Sequence, residues 1–272
     1  MSGGSIVVGP MLAVVLGVLT LGATLTVWLG RLGKVRSVGV AAVRATAQLG
    51  LVSLIIVAVL RSGWLTALFI GLMFTVAALT SAGRIGNRRQ FASTAVAIGA
   101  GVAPVFALVI FSGVVPARPL AIVPIAGIII GGTMTASSLA GRRALDELRN
   151  RHGEFEAALS IGLMRRDAAL EVCRTSAGQA LIPPLDQTRT VGLVTLPGAF
   201  VGVLLGGASP VQAGATQLLV LIGLLAAESI AVLVAVELVA RGLLSRPQQQ
   251  NQGTTTTHGW FIGRHRVAGK SG

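Results

Sequence analysis

Residues 142–189 read RRALDELRNRHGEFEAALSIGLMRRDAALEVCRTSAGQALIPPLDQTR, the one long polar stretch in a chain that is otherwise mostly apolar from Ile6 to Leu244. It holds eight of the 22 Lys and Arg residues and seven of the nine Asp and Glu. Its periodicity is helical. Leu145, Leu148, Phe155 and Leu159 fall on one face, with Asp146, Glu147, Arg149, Arg151, Glu154 and Glu156 largely on the others. A second apolar stripe, Leu170, Cys173, Ala177 and Leu181, follows, and Pro183 and Pro184 are expected to end it. Between the stripes lies Glu156-Ala157-Ala158-Leu159-Ser160-Ile161-Gly162. An amphipathic insert between membrane spans offers a docking surface for a soluble partner; a solvated loop touching nothing would show the same pattern.

Working outward, hydrophobic residues make up 53% of the 272, charged residues 11%, and the mean hydropathy is +0.81. So few charges in a chain of this size mark a polytopic membrane protein. The net charge of +13 does not point to nucleic acid, because the basic residues sit in loops beside apolar spans with few aromatics among them. The lone Cys173 excludes an internal disulfide. No Lys or Arg precedes the first apolar run, so the basic n-region of a cleaved signal peptide is missing and Ile6–Leu29 reads as a retained span.

A span takes roughly 20 apolar residues. Seven are expected: Ile6–Leu29, Val38–Leu60, Trp64–Ala82, Phe91–Val114, Leu120–Ala140, Thr190–Gly207 and Ala213–Ala240. The odd-numbered breaks and the tail carry 19 of the 22 basic residues and the even-numbered breaks two, which assigns the insert and C-terminus to the cytoplasm and the N-terminus to the outside. Residues 1–244 form one transmembrane domain with a cytoplasmic insert at 142–189, and the low-complexity tail 245–272 is expected to be disordered. The sixth span carries Gly198, Gly202 and Gly206 at spacing four, a face that another helix can approach closely, and a kink at Leu196-Pro197-Gly198. The fifth carries Gly127, Gly131, Gly132, Ala136 and Ala140, with Thr133, Met134, Thr135, Ser137 and Ser138. Those hydroxyls either bond to backbone carbonyls within a tight packing or line a path.

Ionisable groups inside the spans are Arg44, Glu228 and Glu237. Each is costly unless it faces protein, water or a partner. Arg44 shares a face with Gln48 and can snorkel to the near interface, while Glu237 lies one turn from Arg241. Glu228 is deepest, and its compensation is Arg44, a bound cation or a proton. Arg44, Gln48, Met134, Thr135 and Glu228 are the candidate path residues; oxygen donors suit hard cations and the Met134 thioether a softer one, but no spacing specifies a metal. The chain has no phosphate-binding GxxxxGK[ST] loop and no H-E-x-x-H, and His152, His258 and His265 lie outside the spans, so it does not read as an enzyme.

Five blocks resemble the FetB-type permease subunits of ABC transporters, a family associated with iron export and, in plants, with aluminium tolerance. They are Arg44-Ala45-Thr46-Ala47-Gln48-Leu49; Pro124-Ile125-Ala126-Gly127 on to Met134; Leu159-Ser160-Ile161-Gly162; Ala180-Leu181-Ile182-Pro183; and Thr190-Val191-Gly192-Leu193-Val194-Thr195-Leu196-Pro197-Gly198. The resemblance spans roughly Val7 to Leu244. The insert is also similar to the EAA coupling loop of ABC importers in Glu156-Ala157-Ala158 and Gly162, but departs from it in placing Ile182-Pro183 twenty residues beyond the glycine. The resemblance implies an inner-membrane permease that dimerises in the lipid bilayer and exports a metal ion such as iron. A separate ABC ATPase, which binds the ATP and Mg, would dock at Glu156, Ala157, Ala158 and Gly162; this chain would need no cofactor of its own. Two other classes fit the residues alone: a secondary transporter or channel using Glu228 as an ion or proton relay, and a membrane anchor for a signalling partner.

Overall fold

The computed structural model describes residues 9–246. Among these are ten α-helices: α1 (Pro10–Leu29), α2 (Arg36–Arg61), α3 (Gly63–Ile85), α4 (Phe91–Phe111), α5 (Pro119–Asn150), α6 (His152–Ser160), α7 (Arg165–Gly178), α8 (Ile182–Thr190), α9 (Gly198–Leu205) and α10 (Pro210–Ala240). Six of them, α1 to α5 and α10, are long and apolar enough to cross a membrane. Local chemistry sets the boundaries. Pro119 and Pro210 open α5 and α10, where a missing N–H costs nothing. At α10, Ser209 Oγ accepts from the Gln212 amide at 3.3 Å while Gln212 Oε1 accepts from the Ser209 amide at 3.0 Å.

Two apolar clusters form the core. One joins Ala136, Ala140 and Ala144 of α5, Val232, Val236 and Ala240 of α10, Ile85 of α3, and Cys173 and Ala177 of α7. The other joins Ile125 and Ile129 of α5, Val220 and Ala227 of α10, Ala78 of α3, and Ile98 and Val105 of α4. In both, early residues of α5 meet early residues of α10 and late meet late, so the two helices run parallel. Residues 151–209 therefore carry the chain back from one end of the bundle to the other.

Small residues bring the helices together. A Cβ on Gly101 would collide with the Ala227 carbonyl oxygen of α10, and one on Gly141 would lie 2.9 Å from Ile85 Cδ1. Hydroxyls add cross-links: Thr94 Oγ1 donates to the Ala78 carbonyl at 2.9 Å, and Ser138 Oγ donates to Ser81 Oγ at 2.9 Å. Thr133, Thr135 and Ser137 donate to carbonyls of their own helix. Most hydroxyls of α5 are thus packing groups. By contrast α1 buries no residue and α2 only Val59, so this hairpin sits loosely on the bundle.

The sixth expected span, Thr190–Gly207, is not a continuous helix. Helix α8 ends at Thr190, residues 191–197 are non-helical, and α9 has eight residues. Pro197 removes an amide donor and sits extended as the N-cap of α9, while Gly192 adopts φ +85°, so the expected kink is a full break. Nor is the Gly198–Gly202 face packed: neither glycine has a neighbour within 4 Å of where a Cβ would stand. Pro183 and Pro184 open α8 rather than stopping the helical run. The fifth span and the first part of the insert are one helix, since nothing in Arg142–Asn150 breaks it. Ser245 and Arg246, expected in the disordered tail, are tied to the bundle: Gln90 exchanges two hydrogen bonds with Ser245, and Arg246 Nη1 donates to Asp146 at 2.6 Å. Ile6 and residues 247–272 lie outside the described residues.

Gly101→Leu is expected to abolish the monodisperse folded protein on size-exclusion chromatography, because the obstructing group is backbone. Gly99→Ala, whose Cβ would meet Phe74 Cζ at an ordinary 3.5 Å, should keep it.

Candidate transport site and docking surface

Glu228 lies on the buried face of α10 and is 5% exposed. Its room comes from α5: a Cβ on Gly132 would lie 2.6 Å from Glu228 Oε1 and 2.5 Å from Leu224 Cδ1. The other oxygen, Oε2, has no hydrogen-bond partner among the described residues. A lone carboxylate in a span costs about 2.5–3.5 kcal/mol on insertion scales, so its retention marks it as a candidate functional group. Gln217, three turns earlier on the same face and also 5% exposed, has an unpartnered Oε1. It is not among the residues expected from sequence, although a single amide deep in the apolar run of α10 is the signal that would have found it.

The other candidates do not converge on Glu228. Met134 packs in the core cluster that includes Ala78 of α3. Thr135 is exposed on α5 and donates to the Gly131 carbonyl at 3.0 Å. Arg44 and Gln48 lie on the exposed surface of α2. No ion pair joins Arg44 to Glu228; of the three ways of compensating the carboxylate, pairing with Arg44 is absent. No group of three His, Cys, Asp or Glu that could hold a metal occurs among the described residues.

The insert is built differently. The far end of α5 and α7 pack into the core through Ala144, Ala169, Leu170 and Cys173. Burial pushes the Cys173 thiol up to about 11. The α6–α7 turn projects away. Gly162 takes φ +94°, a left-handed conformation that favours glycine, and Ile161 and Met164 are 79% and 76% exposed on either side of it. Glu156, Ala157 and Ala158 lie on α6 leading to this turn. Hydrogen bonding to Arg151 holds the Glu154 carboxyl below its ordinary range. Just past the turn, Arg166 Nε and Nη2 donate to the Glu237 carboxylate at 2.6 and 2.8 Å, and Arg241 Nε donates to it at 2.6 Å. The first turn of α7 is thereby clamped to the last turn of α10.

These features define a multi-pass helical membrane protein with a polar helical insert and one isolated buried carboxylate. The chain belongs to the family described as "Uncharacterised protein family (UPF0014)", which matches residues 11–244. Its relatives include the UPF0014 membrane protein STAR2 of Oryza sativa subsp. japonica, 32% identical over 204 residues, or 74% of this chain and 71% of that protein. The probable iron export permease protein FetB of Escherichia coli is 34% identical over 157 residues, 56% of this chain and 59% of FetB. Protein ALUMINUM SENSITIVE 3 of Arabidopsis thaliana is 32% identical over 163 residues, 59% of each chain. No solved structure matches.

Because Arg44 and Glu228 are not in contact, the stability effects of Arg44→Gln and Glu228→Gln should add to within about 0.5 kcal/mol in a double-mutant cycle. Thermal unfolding of the purified variants measures this; a clear gain in the double variant over Glu228→Gln would mean that the two side chains pair.

Proposed function

We propose that this chain is the membrane subunit of an ABC-type exporter of a metal cation such as iron, and that a separate ATPase, which binds the ATP and Mg, docks on the α6–α7 turn. One observation carries the docking half: the exposed Ile161 and Met164, beside Leu159, on a turn whose following helix α7 is rooted in the core and whose preceding helix α6 touches it through Phe155. An apolar tip on a rigid mount fits insertion into a groove on a soluble partner. The relation to a probable iron export permease supports the cargo. Glu228 is the residue proposed to meet that cargo, since a carboxylate oxygen suits a hard cation and nothing else among the described residues neutralises it.

The cycle follows from the mounting. Closure of the paired ATPases would displace the α6–α7 turn, and the Arg166–Glu237 clamp would pass that displacement to α10, the helix carrying Glu228. The return leg from α8 to α9 counts as a seventh crossing in this reading. Because α5 and α10 run parallel, the chain between them has to recross the hydrocarbon core. An odd number of crossings puts the termini on opposite sides, N outside and C in the cytoplasm, in keeping with the basic residues.

That leg also favours a homodimer. Leu193, 92% exposed, lies in non-helical backbone, and the Leu196 amide has no acceptor among the described residues. Irregular backbone at membrane depth is tolerated only against protein or a water-filled path, and the open Gly198–Gly202 face of α9 beside it suits a second copy.

Replacing Ile161 and Met164 together with Asp should leave folding intact, since both are exposed, and should abolish co-purification of a co-expressed ABC ATPase that the wild type retains; normal ATPase recovery would place docking elsewhere. Glu228→Gln should fold and bind the ATPase normally yet lose at least about tenfold in iron-stimulated ATP hydrolysis in proteoliposomes, the scale of losing one charged contact to cargo. Gly202→Leu meets nothing in the single chain and improves helix propensity, so it should preserve folded yield while lowering the dimer fraction in membrane cross-linking.

A further inference from the structure

The α1–α2 hairpin is the part of the molecule that the proposed function leaves unused. A shallow, open groove of about 560 Å³ lies along α2 beside Thr24 of α1, walled by Val40, Val43 and Ala47, with the apolar stems of Arg36 and Arg44 at its edge. Gly39 leaves its floor open, having nothing within 4 Å of where a Cβ would stand. Arg36 is the first residue of α2 and Arg44 stands eight residues, about 12 Å, deeper along the helix.

Charge makes this groove unusual. Arg31, Lys34, Arg36 and Arg44 cluster at one end of the hairpin, and the chain has no Asp or Glu before Asp146. Among the described residues, none of these four cations forms a salt bridge. The deep carboxylates are out of reach: Glu228 is buried against Gly132, and Glu237 is held by Arg166 and Arg241. A second copy of the chain therefore has no free carboxylate at that depth to bring to Arg44. The occupant has to bring its own anion and an apolar body, and it has to reach the site from within the bilayer.

We propose that the groove between α1 and α2 binds an anionic glycerophospholipid, its phosphate between Arg36 and Arg44 and an acyl chain along Val40, Val43 and Ala47. The two guanidiniums supply the charge and hydrogen-bond donors for the phosphate. The apolar walls restrict the ligand to a lipid rather than a free anion. The lipid fills the space that the loosely attached hairpin leaves open, and it compensates Arg44 inside a span.

The test uses the full-length chain purified in mild detergent and stripped of lipid. Binding of phosphatidylglycerol and of phosphatidylcholine with identical acyl chains is followed by native mass spectrometry. The wild type should prefer phosphatidylglycerol by about tenfold or more, the scale expected for two basic side chains near a headgroup. Arg36→Gln combined with Arg44→Gln should remove that preference and leave phosphatidylcholine binding unchanged. Neither arginine has an ion-pair partner among the described residues to lose, so the variant should fold. Arg88→Gln with Arg89→Gln removes the same charge outside the groove and should leave the preference intact. Val43→Trp fills the groove with every charge in place and should also reduce phosphatidylglycerol binding. Equal binding of the two lipids by the wild type overturns the proposal. So does an equal loss in the Arg88/Arg89 variant, or no effect of Val43→Trp, or competition by glycerol 3-phosphate as effective as that of the lipid.

Discussion

Helix α10 is held at near-backbone distance by glycines on its neighbours, and most of the molecule depends on that approach. Gly101 of α4 admits the Ala227 carbonyl, and Gly132 of α5 admits the Leu224 and Glu228 side chains one turn away. In a bilayer, burying apolar surface between helices gains little, because the lipid is as apolar as the protein; close packing and cross-helix hydrogen bonds have to hold the bundle instead. The alanines and glycines of α4, α5 and α10 answer to that demand. The same closeness shelters Glu228, so the residue proposed to meet cargo sits in the seam that holds the helices together.

Charge is distributed in three ways, each with its own consequence. In the insert and at the foot of α10 it is paired: Arg151 with Glu147 and Glu154, Arg166 and Arg241 with Glu237, Arg246 with Asp146. Exposed pairs of this kind add little stability singly, but the Glu237 cluster ties two elements far apart in sequence. On the α1–α2 hairpin the charge is of one sign and unpaired among the described residues. At Glu228 it is solitary and buried. Structure, surface and chemistry thus divide the few charges of the chain among them.

Much of this was legible in the sequence. Six of the seven expected spans match helices to within a few residues, save that α5 runs on into the insert, because a run of twenty apolar residues bounded by Arg or Pro leaves little choice. The tight packing of α5 could be read from glycine and alanine at spacing four, and Glu228 from its depth. The break at 191–197 could not. Thr190–Gly207 has the composition of a span, and only the conjunction of Gly192, at positive φ, with Pro197, lacking an amide, splits it; each alone is common within membrane helices. The isolation of Arg44 from Glu228 was equally hidden, since it depends on how loosely α2 leans on the bundle, and no local pattern encodes that.

The broken return leg has a consequence for how the protein is made. Eight helical residues are too short to hold a place in a bilayer alone, so α9 cannot be released laterally from the translocation channel as α1 to α5 can. It has to wait for α10 and enter with it as a helical hairpin, joined through Gly206 to Ser209 and stiffened by the Ser209–Gln212 cap. In the proposed topology, the polar insert and the segment from it to Gly207 would stay on the ribosome's side of the membrane until α10 is synthesised. In that topology, biogenesis of the last third of the chain would be a single late event, with α10 as its trigger.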